Sequence, residues 1–84
     1  MNSQRVFETE SIDLAAYLVT AGNEPTIHSN LTGKRAVFMF AESDELYRAV
    51  VNYERGDSLP AKRLLNSRSW LFREASRVCR GVQP

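Results

Sequence analysis

Ala36-Val37-Phe38-Met39-Phe40-Ala41 is the longest strictly apolar run in the chain, and it constrains the fold more than any other segment. Strand alternation puts Ala36, Phe38 and Phe40 on one face and Val37, Met39 and Ala41 on the other. Aromatic and branched residues that are apolar on both sides read as a strand over Lys34–Ala41, and as the centre of a sheet. The run is far too short for the ~20 residues that a bilayer span requires.

What flanks this strand follows from turn and cap chemistry. Arg5-Val6-Phe7-Glu8-Thr9 suits a short first strand. Ser11 is an N-cap, and Asp13 lies in the first turn where the helix dipole favours a carboxylate. Leu14, Tyr17, Leu18 and Ala21 then repeat at helical spacing until Gly22. Ile12, Ala15, Ala16 and Val19 fill most of the other faces, so this helix is either sandwiched between elements or a subunit contact. Pro25 delays the second strand to Thr26-Ile27-His28-Ser29, and Asn30 to Lys34 is a turn around Thr32-Gly33. Ser43 caps a second helix with Asp44 and Glu45 in its first turn, an apolar stripe of Leu46, Ala49, Val50 and Tyr53, and Gly56 at its end. Asp57-Ser58-Leu59-Pro60 reads as a cap with proline in the first turn of a third helix, which runs from Leu59 to about Arg80. On its wheel Ala61, Leu64, Leu65, Leu71, Phe72, Ala75, Val78 and Cys79 share one face. The expected fold is α+β, in the order β-α-β-β-α-α. The sheet is small, three-stranded and mainly antiparallel; a right-handed first crossover that leaves room for the central strand places the third strand between the first and second, the alternative being a first strand that stands off as an arm.

Eighty-four residues make one domain, 1–84, with polar ends at 1–4 and 81–84 expected to fray. A chain this short buries only about 60–65% of its unfolded surface, which leaves little room for a cleft enzyme. One Cys and one His exclude an internal disulfide and a zinc site made within the chain, and they suit a reducing cytoplasm. No phosphate loop, calcium loop or Ser/His/Asp arrangement occurs, so neither cofactor nor metal is expected. Acidic residues precede the apolar segment at Leu14–Val19, where a signal peptide would be basic, so no membrane association is expected.

Phe7-Glu8-Thr9, followed by Asp13-Leu14-Ala15-Ala16-Tyr17-Leu18 and Gly22, resembles the opening of a family of small bacterial and phage-associated domains of unknown function, the DUF5659-like domain. Arg35 to Phe40, Tyr53 with Gly56, and Ala61 and Leu71 continue the resemblance, which spans about residues 6 to 75. These are packing residues. The resemblance therefore implies a fold, and it carries no reaction, cofactor or partner.

The near-neutral net charge of +1 conceals a division. Up to Ser58 nine acidic residues face five basic ones, whereas Leu59 to Pro84 holds one acidic and six basic residues. The outward face of the third helix gathers Lys62, Arg63, Asn66, Arg73, Arg77 and Arg80 around Trp70. Tryptophan among arginines suits docking on a protein, and equally stacking on an unpaired base while phosphates are neutralised. A solvated helix face is the plain alternative. Arg68 falls inside the apolar stripe, where an unpaired guanidinium is costly. It therefore needs a carboxylate (Asp13, Glu42 or Asp57), a broken or locally exposed stretch of helix, a subunit contact, or a ligand anion. Cys79 suits a small core residue better than a nucleophile, and His28 a half-exposed strand position. Tyr17, Tyr47 and Tyr53 suit the edge of the core, while exposure of Tyr47 with Val51 would mark a contact patch.

The candidate binding face is therefore Arg63, Trp70, Arg73, Arg77 and Arg80, with Arg68 as an ion pair or interface residue. The expected function is that of a non-enzymatic interaction module, binding another protein or itself as a homodimer. The alternative is an accessory nucleic-acid-binding domain that uses the basic last helix.

Overall fold

The computed structural model describes residues 5–30 and 32–80. The expected fraying at 1–4 and 81–84 lies outside the described residues. The elements are β1 (Val6–Thr9), α1 (Ile12–Thr20), β2 (Thr26–Ser29), β3 (Ala36–Ala41), α2 (Asp44–Glu54) and α3 (Ala61–Arg80). Both outer strands run antiparallel to β3 in the order β1-β3-β2, so the first strand joins the sheet and is not an arm.

Side-chain oxygens start the first two helices. Ser11 Oγ accepts from the Leu14 N–H at 3.1 Å, and Ser43 Oγ from that of Leu46 at 3.0 Å. Both end in the same reciprocal turn. Gly22 at φ +107° and Gly56 at φ +84° adopt the left-handed backbone. Their N–H groups bond to the Val19 and Tyr53 carbonyls, and the following N–H groups of Asn23 and Asp57 bond to those of Leu18 and Asn52. Helix α3 starts two residues later than expected. Pro60 stands just outside it rather than in its first turn and supplies the first carbonyl acceptor, for the Leu64 N–H at 3.0 Å, so the Asp57-Ser58 segment does not cap it.

The register pairs Phe7 with Phe40, and Phe38 with both Thr9 and Ile27, which gathers the aromatic side chains on one sheet face. All three helices cover that face. Helix α1 is flanked by α2 and α3, and Leu14, Ala15, Ala16, Tyr17 and Leu18 are all buried. The sandwiched alternative is therefore the one adopted, and the apolar surface of α1 is used up within the chain. Leu46 and Ala49 of α2 and Leu71 of α3 close the core around Phe38 and Phe40. A T-shaped contact between Tyr17 and Tyr53, with centroids 5.4 Å apart, fixes α2 against α1.

The opposite sheet face carries Val6, Glu8, Thr26, His28, Val37, Met39 and Ala41, and among the described residues no helix lies over it. Central position in the sheet thus buries only one side of β3: Val37 and Met39 are half-buried, and Ala41 is exposed.

Candidate functional site

Helix α3 is the longest element, and its surroundings divide it into three strips. The first faces inward. Leu71 is fully buried, and Leu64 and Ala75 pack against the core. Polar bonds pin the same side to α1. The Thr20 hydroxyl donates to the Ala16 carbonyl at 2.8 Å and bonds to the Ser67 hydroxyl at 2.9 Å, and Arg63 Nη2 donates to the Thr20 carbonyl at 3.4 Å.

The second strip lies about 90° further round the helix. Here the structure corrects the wheel: Leu65 is 62% and Phe72 53% exposed, although both belong to the apolar arc. The arc is wider than the surface that α1 and the sheet can cover, so its far edge is left in solvent. Ala61 is exposed on the same side. Arg68 lies between Leu65 and Phe72. Its Nε donates to Asp13 Oδ1 at 2.8 Å, and its guanidinium sits 5.6 Å from the centre of the Phe72 ring. Of the three carboxylates considered, Asp13 is the partner. With side-chain exposures of 43% and 63%, the pair lies at the surface, so Arg68 is both paired and exposed. Beside Phe72 opens a hollow of about 320 Å³ floored by Ile12, Ala36, Phe38 and Ala75, with Lys34 and Arg35 at its mouth. Cys79 is half-buried in its wall.

The third strip holds the residues singled out for their charge. Trp70 is 38% exposed, and Arg63, Arg73 and Arg77 are exposed one or two turns away. Arg77 is 3.6 Å from Glu74 on the same helix, and Arg63 is partly held by the Thr20 carbonyl. Arg73 makes no ion pair among the described residues. The side chain of Arg80 lies outside the described residues.

Elsewhere Tyr47 and Val51 are exposed together on α2, 44% and 53%, which meets the condition set for a contact patch. The Tyr47 ring packs edge-on against Phe7 at 6.4 Å. Its phenol is held above the ordinary tyrosine range, first by a hydrogen bond to Glu42, then by burial and by the charge of Glu42, with Arg5 acting in the opposite direction. His28 is exposed on the open sheet face. Among the described residues no group of three or more His, Cys, Asp or Glu side chains is placed to hold a metal ion, and no helix is long and apolar enough to cross a membrane.

Sequence reasoning missed Leu65 and Phe72 as surface residues. The signal was present in Arg68, since an arginine inside an apolar arc marks where the arc leaves the core.

No curated protein and no solved structure gives a significant match to the chain. One family model does match, over residues 4–65, which takes in the sheet, α1, α2 and the first residues of α3. It ends short of residue 75, the limit of the resemblance, so Arg68, Trp70, Phe72, Arg73 and Arg77 fall beyond the matched part. With the matched segment covering most of the 84 residues and all of the sheet, the chain belongs to the family described as Domain of unknown function (DUF5659).

Proposed function

We propose that the protein is a non-enzymatic docking module of a reducing compartment, with α3 as its recognition element. One observation carries this reading. Of the six large hydrophobic side chains exposed among the described residues, three (Leu65, Trp70 and Phe72) lie on this one helix. They lie on two of its faces, Leu65 with Phe72 beside Arg68 and Trp70 among Arg63, Arg73 and Arg77, and exposed aromatic and aliphatic side chains beside arginines are the usual anchors of protein interfaces. Arg63, Arg73 and Arg77 around Trp70 favour an acidic protein surface, which would gain both in encounter rate and in specificity.

Site-specific photo-crosslinking in the cells that make the protein tests this. A cross-linker at position 65 or 70 is expected to give discrete protein adducts, and one at Glu54 on α2 to give none. Equal, diffuse labelling from all three positions would contradict docking on α3.

The nucleic-acid reading is favoured by one specific observation, the exposure of Trp70 among guanidinium groups. It requires nuclease-sensitive adducts at position 70. It also requires oligonucleotide binding that weakens steeply with salt and is lost on combining Arg73→Ala with Arg77→Ala. Absence of binding at low salt removes it.

A further inference from the structure

We infer that the Leu65–Arg68–Phe72 strip of α3 is a self-association surface, which binds a second copy of the chain across a two-fold axis with the two α3 helices antiparallel. The inference rests on the reading of α3 as the docking element and names the occupant of one of its two exposed strips.

Residues 65, 68 and 72 are spaced three and four apart, so they form one strip about 10 Å long. Its ends are apolar and more than half exposed, Leu65 at 62% and Phe72 at 53%. Its middle is the Arg68–Asp13 pair at 2.8 Å, itself still open to solvent. An antiparallel two-fold through this middle sets Leu65 over the partner's Phe72, beside the hollow of about 320 Å³. The same operation brings Arg68 towards the partner's Asp13, and Asp13 towards the partner's Arg68. Two positive and two negative groups then alternate at the centre, so the strip is complementary to itself in charge as well as in apolar surface.

The Trp70 strip lacks this property. There a second copy would set Arg63, Arg73 and Arg77 against their own kind, and like charges suppress the contact. The two strips therefore sort their partners, an identical chain on one and an acidic surface on the other. The strip is a single helix face about 10 Å long, so the association is expected to be weaker than that of a standard interface.

Sedimentation velocity from about 10 µM to about 1 mM tests the inference on wild type, Arg68→Asp, Asp13→Arg and an equimolar mixture of the two variants. Wild type is expected to sediment faster as concentration rises. Each charge reversal alone places four like charges at the centre and should stay monomeric. The mixture should associate again, now as a heterodimer, which also shows that both variants are folded. Three results would overturn the inference: wild type monomeric throughout, a dimer indifferent to both reversals, or a mixture that fails to restore association. A monomeric wild type that still gives adducts with other proteins at position 65 or 70 removes the self-contact and leaves the docking role. If no such adducts form either, both fail.

Discussion

Arg68 sits where the first turn of α1 meets the middle of α3, and its surroundings illustrate what a sequence conveys about one side chain. Its place in an apolar arc announces an anomaly, and the cost of a buried, unpaired guanidinium limits the resolutions to a few. Choosing among them takes three dimensions, because Asp13 is distant in sequence and 2.8 Å away in the fold. Tyr47 offers a sharper test at this scale. The folded state holds its phenol above the 10.0 of an unperturbed tyrosine, so the folded chain keeps a proton that the unfolded chain releases. This stabilisation is complete below the unfolded value and is lost as pH rises through the raised one. Denaturant titrations of wild type and Tyr47→Phe should therefore differ by a constant amount up to about pH 9. Above about pH 10 wild type should lose ground to the variant. A constant difference through that range would mean that Glu42 does not hold the proton on the phenol.

Among the elements, those that end in local chemistry were legible from sequence. Ser11 with Gly22 and Ser43 with Gly56 bracket α1 and α2 because caps and left-handed turns are written within a few residues. Helix α3 was legible as a helix but not in its orientation. A wheel defines the apolar arc, whereas the fraction of that arc which neighbours cover depends on how α1 and the sheet are placed. Leu65 and Leu71 thus look equivalent in sequence, yet one is 62% exposed and the other fully buried. Leu71→Ala should cost about 2–5 kcal/mol in urea denaturation, and Leu65→Ala less than about 0.5 kcal/mol. Equal costs would place both leucines in the core. The strip carrying Leu65 and Phe72 was hidden for the same reason that these two energies differ.

For the whole molecule, the α+β class and the central place of β3 follow from one doubly apolar strand and the lengths of chain around it; that β1 pairs with it rather than standing off as an arm does not. Nor does the outcome for its second face, since Val37 and Met39 pattern as core but meet no helix among the described residues. The family match ends at residue 65, while the core does not: Leu71 is fully buried and Ser67 is bonded to Thr20. A chain stopped after residue 65 should therefore lose cooperative thermal unfolding; a truncated chain with an undiminished transition would show that α3 beyond that point is an appendage. The central claim is that α3 closes the core with one strip and binds a second copy of the chain with another. It is tested most directly by following side-chain methyl resonances by NMR between dilute and concentrated protein. The Leu65 methyls should shift with concentration while those of Leu18 and Leu71 in the core and Val37 and Met39 on the open sheet face stay fixed. Shifts confined to Val37 and Met39, or none at all, would contradict it.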